Sequence, residues 1–182
     1  MALFTTKRRS SILTDALLGA AAGGIASAVM VPVMRTLHNM ERPEAKTHEE
    51  MIKPSEMPSE KVARKLAEPF NIQLGDAGRK TGATLVHFAY GMSWGAVFGI
   101  LAERVPIPHV LHGLLFGAVL TGLSAQVILP AFKLSPPASR YKIDTNLAAL
   151  GSHLVYGATA ERSLTLLRHA LLGKKTFRVA RA

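Results

Sequence analysis

Four long apolar stretches constrain this chain more than any other feature of its sequence. They cover residues 13–34, 81–102, 107–129 and 146–167. Each is about 22 residues long, and about 20 apolar residues in a helix cross the hydrocarbon core of a bilayer. Only 19% of the 182 residues are charged, and those charges lie mostly between the stretches and at the chain ends. The sequence therefore predicts an all-α fold, a polytopic membrane four-helix bundle, with residues 1–182 as a single membrane domain.

A polar segment, residues 35–80, separates the first two stretches and is predicted to be a long polar loop. Within it, Val62 and Leu66 lie at i and i+4, the spacing of one helix face. Ser59 has the side chain of an N-cap and Pro69 ends the pattern, so a short helix is expected over residues 59–68.

The formal net charge is +10, and much of it flanks the apolar stretches. Basic and aromatic residues do not alternate as they do on nucleic-acid platforms, so we expect a bilayer partner and no nucleic acid. Four crossings place both termini on one side, and their basic flanks, including a basic tail over residues 170–182, predict that this side is the cytoplasm. Asp15, at the start of the first stretch, is expected to reach water.

The motif His-x-x-Tyr-Gly occurs twice, at residues 87–91 and 153–157. The first and third stretches also share a Gly/Ala and Pro pattern. We interpret the chain as two tandem two-helix hairpins, repeat 1 at about 12–103 and repeat 2 at about 107–169. Such copies would be related by an axis along the membrane normal. The two motifs would then lie at equal depth, with the second and fourth membrane helices meeting near that axis.

Glycines at spacings of four residues indicate where the helices pack closely. Small residues at i and i+4 let helix backbones approach each other inside a membrane. The predicted packing positions are Gly19, Gly23, Gly91, Gly95, Gly99, Gly113, Gly117 and Gly157.

Five polar residues inside the second and fourth stretches form a candidate polar cluster, because such residues are costly in hydrocarbon. They are His87, Tyr90, His153, Tyr156 and Glu161. They can be structural, bonding to neighbouring helices. They can line a cavity that handles a proton or small solute, since His titrates near neutral pH. His87 and His153 can also ligate a metal or serve as the two axial ligands of a haem b. Glu161 is expected to face the bundle, toward Gln126 or another polar group, with an interfacial pair of Glu161 and Arg162 near the water as the alternative.

Several chemistries are not indicated. The chain has no Cys, which excludes thiolate catalysis, iron–sulfur clusters and Cys-based zinc sites. Its Gly-rich segment lies in the first apolar stretch and lacks the strand and helix that flank a phosphate-binding loop. We therefore predict no catalytic residue, no metal site and no cofactor beyond the haem alternative, and we expect that the protein is not an enzyme.

Four longer sequence segments resemble those of a known protein family. The first two are a Gly/Ala-rich first helix ending in Pro32 and a helix-forming sequence over residues 58–66. The other two are the segments Val-His-Phe-Ala-Tyr-Gly-Met-Ser-Trp-Gly-Ala from Val86 and Gly-Ser-His-Leu-Val-Tyr-Gly from Gly151. Together these resemble the YagU-like family, small uncharacterised four-span membrane proteins of bacteria. The resemblance implies an inner-membrane location and, for some members, a link to acid tolerance. It implies no reaction and no catalytic residues.

Three functions remain open from the residues. The first is a non-catalytic integral inner-membrane protein, acting in envelope homeostasis or as an accessory transmembrane subunit, with other membrane proteins or itself as partner. The second is a small transporter or proton-handling protein that uses the intramembrane His, Tyr and Glu side chains. The third is an electron carrier with haem b bound through His87 and His153.

Overall fold

A computed structural model describes residues 11–105 and 107–173, and every regular element in these residues is helical. The helices are α1 (Ile12–Met40), α2 (Pro43–Ile52), α3 (Pro58–Ala67), α4 (Asp76–Ala102), α5 (His109–Leu123), α6 (Leu129–Ala131) and α7 (Ile143–Leu172). Short 3₁₀ turns cover Glu68–Phe70 and Ala138–Arg140, and a π-helical turn, Ser124–Ile128, joins α5 to α6. The basic N-terminal cluster at residues 7–9 and the basic tail from residue 174 lie outside the described residues.

Three helical segments are long and apolar enough to cross a membrane. They are Ile12–Met40, Asp76–Ala102 and His109–Ala131, the last of which comprises α5, the π-helical turn and α6. Their outer faces expose large apolar side chains, among them Leu17, Ile25, Leu85, Val97 and Val119. Water disfavours apolar surface of this extent, whereas lipid does not. These helices are those of a membrane protein.

Helix α7 is the longest, with 30 residues, but it is not among the three apolar segments. Its buried positions include the polar side chains of Ser152, Glu161, Ser163 and Arg168. These side chains lower the mean hydropathy of α7 because they are polar. They are nevertheless directed into the protein, where neighbouring helices contact them. The predicted fourth crossing is therefore not established by the composition of α7.

Helices α1 and α7 lie at the centre of the bundle. Helix α1 packs against both α4 and α7, and α5 packs against α7. The small core residues Ala22, Ala26 and Ala160 lie where these helices meet. Helices α4 and α5 are further apart, and aromatic rings fill the space between them, with the Phe98 and Phe116 centroids 4.8 Å apart. Side-chain size thus sets the spacing: small residues where backbones touch, and aromatic residues where they do not.

Two helix pairs, α1 with α4 and α5 with α7, have their backbones in contact at glycine residues. A Cβ at Gly23 of α1 would lie 2.8 Å from the Cα of Gly95 in α4, and a Cβ at Gly113 of α5 would lie 2.9 Å from the carbonyl carbon of Gly157 in α7. The two helix pairs differ in register. Gly91, in the first His-x-x-Tyr-Gly motif, faces Gly23, whereas Gly157 in the second faces Gly113, about two helical turns from the position that the predicted repeat would pair with it.

The expected direct meeting of the second and fourth membrane helices is replaced by a different arrangement. Helix α1 packs closely against both α4 and α7, and two α7 side chains reach across to α4 backbone. Tyr156 donates to the carbonyl of Gly91 at 2.6 Å, and Arg168 donates to that of Gly99 at 3.0 Å. The α4–α7 contact is therefore made by long side chains, because the small residues of α1 bring its backbone against both helices.

The predicted polar loop is mostly helical, which corrects the sequence-based expectation. Helix α1 continues through Pro32 to Met40, α4 begins at Asp76, and α2 forms in between. Helix α3 begins at Pro58, with Met57 at the N-cap position, so Ser59 is not the cap. Proline suits the first turn of a helix because its missing N–H would have no partner there. Helix α3 packs on α4, and α2 contacts α7.

A charged contact joins the end of α1 to the start of α7. Arg42 donates from Nε to Oδ2 of Asp144 at 2.6 Å and from Nη2 to Oδ1 at 2.9 Å. This two-bond contact with the guanidinium holds the pKa of Asp144 below its ordinary value. Next to it, Thr145 donates to Glu41 at 2.9 Å. The contact links α1 and α7 at the end away from the chain termini.

We expect Gly95→Ala to destabilise the protein and Gly122→Ala to leave it unchanged or more stable. The added methyl at Gly95 would lie 2.6 Å from the Cα of Gly23, whereas at Gly122 it would meet nothing within 4 Å. Overpacking costs about 1–3 kcal/mol, and alanine otherwise favours a helix by about 1 kcal/mol over glycine. Unfolding of the purified proteins in one detergent measures the difference. Equal shifts for both variants would contradict the close α1–α4 contact.

Candidate functional site

The two tyrosines of the candidate polar cluster make separate hydrogen bonds. Tyr156 is 2% exposed and donates its hydroxyl to the Gly91 carbonyl. Tyr90 is 38% exposed, and its hydroxyl lies 2.7 Å from Oγ of Ser124, at the start of the π-helical turn. Each tyrosine therefore connects one long helical segment to another.

The two histidines of the cluster lie on facing parts of α4 and α7 and make separate contacts. His153 donates from Nδ1 to the carbonyl of Ala149, one turn earlier, at 2.9 Å. His87 packs edge-on against Phe88, and its Nε2 is buried without a hydrogen-bond partner. In the described part of the chain no hydrogen bond joins any two of the five predicted residues. They do not form one continuous polar track.

This geometry does not favour haem between His87 and His153. One turn from His153, Tyr156 reaches from α7 to the Gly91 carbonyl of α4, so the two helices are separated by the length of one tyrosine side chain. A porphyrin ligated from both sides needs its plane and two axial imidazoles between the helices. Its ring would have to displace the Tyr156 side chain.

Glu161 lies near the other end of α7, among residues that the sequence-based reasoning did not connect with it. Its Oε1 accepts from Nδ1 of His109 at 2.8 Å and from Oγ1 of Thr165 at 3.2 Å. His112, 7% exposed, lies in the same group. The expected neighbour Gln126 is at the opposite end of the α5–α6 segment, where it accepts from the backbone N–H of Ser139. Glu161 therefore has a polar partner, as expected, but it is His109 and not Gln126. The antiparallel arrangement of α5 and α7 places Gln126 at the other end.

A buried ion-pair group closes the bundle at the end nearer the termini, and the sequence did not reveal it. Asp15 is 1% exposed and Arg168 4% exposed. Arg168 donates from Nη2 to Asp15 at 3.0 Å, and its Nη1 lies 2.8 Å from a carboxylate oxygen of Glu103. Arg104 lies 3.6 Å from Asp15. The expectation that Asp15 reaches water was wrong, because α7 supplies a guanidinium that covers it.

A sequence signal for this pair existed but was weak. Asp15 and Arg168 are separated by 153 residues, and each lies near the end of an apolar stretch, where charged residues usually reach the water. Antiparallel first and last helices bring these ends together, so the pair becomes predictable only once the α1–α7 contact is known. The pair joins α1 to α7, and the Gly99 and Glu103 contacts of Arg168 add α4.

Two groups of side chains have the donor atoms that a metal ion requires. One consists of His109, His112 and Glu161, and the other of His38, Glu41 and Glu49. In the second group His38 lies 3.0 Å from a carboxylate oxygen of Glu41 and 3.7 Å from one of Glu49. The groups lie at opposite ends of the bundle, since His38 is near the end of α1 and His109 is at the start of α5.

We expect Arg168→Gln to lower the free energy of unfolding by about 3–5 kcal/mol, because it leaves the buried Asp15 carboxylate without its main partner. Arg162→Gln, an exposed position on the same helix, is the matched control and should change it by no more than about 0.5 kcal/mol. Denaturant unfolding in micelles gives both values. Combining Arg168→Gln with Asp15→Asn should cost less than the two single changes added. Similar stabilities of the Arg168 and Arg162 variants would contradict the ion pair's role.

Comparison with known proteins gives a family and no activity. Residues 45–162 match a family described as a protein of unknown function, DUF1440. The matched region includes the His109, His112 and Glu161 group and both His-x-x-Tyr-Gly motifs, but not Asp15 or Arg168. No curated protein and no solved structure matches the chain. Because the match covers more than half of its length, this membrane protein belongs to the uncharacterised DUF1440 family.

Proposed function

We propose that this chain is a four-pass, YagU-like protein of the bacterial inner membrane, with α7 as the fourth crossing and both termini in the cytoplasm. Helix α7 spans about 45 Å at 1.5 Å per residue. It packs lengthwise against the apolar helices α1 and α5, and its polar side chains are buried by them. A polar helix can cross a bilayer when its polar side chains face other helices. Arg104 and Arg162 near the terminal end support the orientation.

Within that membrane, we propose a non-catalytic role as an accessory transmembrane subunit of a larger complex. The observation that carries this proposal is how the intramembrane polar groups are used. Tyr90, Tyr156 and Arg168 bond helix to helix, so they hold the bundle together, while the outer faces of α1, α4 and α5 are apolar. An interhelical hydrogen bond contributes roughly 0.6 kcal/mol in a membrane.

The polar side of the bundle away from the termini supports a partner-binding role. Helix α3 packs on α4 and α2 contacts α7, which holds this region against the membrane helices. It nevertheless exposes large apolar side chains: Met51 is 72% exposed, Leu66 63% and Phe70 74%. Exposed apolar groups on an ordered surface are typical of protein contacts. We define Met51, Leu66 and Phe70 as the apolar edge.

Cysteine labelling tests the fourth crossing, and the chain suits it because it contains no native Cys. Ser139→Cys precedes α7 and Ala170→Cys lies in its last turn. If α7 crosses, a membrane-impermeant maleimide should label the Ser139 variant in intact cells with an opened outer membrane. The Ala170 variant should be labelled only after lysis. Labelling of both variants from the same side would contradict the crossing.

Purification from native membranes in a mild detergent tests the accessory role. We expect a stoichiometric complex with another membrane protein that is lost in Phe70→Ser and retained in Val105→Ser. Both positions are exposed, but Val105 lies at the opposite end of the bundle. Equal retention in both variants would contradict a contact through the apolar edge. An isolated protein in both the wild type and the variants would favour independent action in envelope homeostasis.

A second candidate function is proton or small-solute handling, and one observation favours it. Nε2 of His87 is buried without a hydrogen-bond partner, and His153 is near it. A buried ring nitrogen without a partner offers a hydrogen-bonding position to water or to a small polar solute. Flux into liposomes that is lost in His87→Gln would favour this function over the accessory role. If the flux is also lost in Glu161→Gln, the path of the proton or solute includes Glu161, at the terminal end of the bundle.

A further inference from the structure

The start of α5 and the last part of α7 bring together three side chains that commonly bind metals. His109 and His112 lie at i and i+3 in the first turn of α5, so they share a face. Glu161 of α7 lies opposite them, and one donor atom of each of the three residues lies within 4.8 Å of the others. The proposed accessory function does not use this group.

His112 is held so that one ring nitrogen remains available. Its Nε2 lies 2.7 Å from the carbonyl oxygen of Val105, and a carbonyl only accepts, so Nε2 carries the hydrogen. The lone pair of the neutral ring is therefore on Nδ1, which is buried without a hydrogen-bond partner. Metal-binding histidines are commonly fixed in this way, with the second ring nitrogen bonded to a backbone carbonyl.

Glu161 is arranged in a comparable way. Its Oε1 accepts from Thr165 and from His109, while its Oε2 is buried without a hydrogen-bond partner. The protein thus leaves two buried acceptor atoms, on Glu161 and on His112, in one small region. Buried acceptors without partners are unfavourable, and a cation that accepts both lone pairs would remove that cost.

We propose that His109, His112 and Glu161 bind a divalent transition-metal ion of the Zn²⁺ type. Two histidines and one glutamate are a known zinc-ligand set, in which a further position is left for water. The ion would replace the proton between His109 Nδ1 and Glu161 Oε1. Bonds of about 2.0–2.1 Å require donor atoms about 3.3 Å apart. The 2.8 Å spacing between His109 and Glu161 must therefore widen, while any longer spacing in the group, up to 4.8 Å, must shorten. His109 can move because its side chain is 48% exposed.

Access and consequence both follow from the surroundings. An open cavity of about 300 Å³ adjoins the group and is lined by His109, Val110, Leu114, Ala158, Glu161, Arg162 and Thr165. An ion can therefore enter from the terminal end of the bundle, and water can complete its coordination. Since its ligands come from α5 and α7, the ion would link the second hairpin and stabilise the folded state.

The test uses full-length protein without a histidine tag, purified in detergent and stripped with a chelator. Equilibrium dialysis against Zn²⁺ at micromolar concentration should give one bound ion per chain. Glu161→Gln and His109→Ala should each weaken Zn²⁺ binding by at least about 100-fold. Loss of a hydrogen bond that only orients a ligand costs up to about 100-fold, and loss of a ligand itself should cost more. His38→Ala, in the other potential metal-binding group, is the matched control and should bind normally. Co²⁺ in place of Zn²⁺ should produce visible absorption bands that both ligand variants lose.

The unfolding temperature provides a readout that does not depend on the binding assay. Zn²⁺ should raise it for the wild type and for His38→Ala, but not for Glu161→Gln or His109→Ala. His109 is half-exposed, so its replacement should leave the fold intact without metal, and circular dichroism checks this. Absence of Zn²⁺ binding by the wild type would overturn the proposal, as would binding that persists in both ligand variants or is lost only in His38→Ala.

Discussion

The backbone contact between α1 and α4 is the constraint on which the rest of the structure depends. Glycines on both helices let the two backbones approach so closely that a methyl group would collide with the opposite chain. The same glycines leave carbonyl oxygens uncovered by any side chain. Two of these, on Gly91 and Gly99, accept the hydrogen bonds from Tyr156 and Arg168. The glycine contact therefore also determines where α7 is bonded to α4.

Helix α7 has the least apolar sequence of the long helices and one of the most central positions, and these properties have one cause. A helix surrounded by other helices can carry groups that lipid would exclude, provided that each finds a partner. Arg168 finds Asp15 and Glu103, and Glu161 finds His109. Mean hydropathy is calculated from the residues of one helix. It therefore counts the polar side chains of α7 but not the groups on other helices that bind them. Composition alone therefore does not show how closely α7 packs among the other helices.

How far the sequence could predict this structure depends on the range of each interaction. The three apolar helices follow from the length of their apolar stretches, and α3 follows from local periodicity. The glycine spacing indicated faces that can pack closely. Helix α2 was missed because its ten residues have no apolar stripe, and α3 begins one residue early because Pro58 takes the first helical position. The site residues were predicted less well. Residues separated by 52 positions, as in His109 and Glu161, leave no local pattern.

The sequence by itself determined an all-helical membrane protein, because apolar length and glycine spacing are local properties that each segment carries independently. It also identified the polar residues that are uncommon in such stretches: the histidines, tyrosines and glutamate within the apolar segments. Only the tertiary structure decided their partners. The antiparallel register of α1 with α7 covers Asp15 with Arg168, and that of α5 with α7 brings Glu161 to two histidines and away from Gln126. Registers of this kind depend on the summed packing of whole helices, which no single residue specifies.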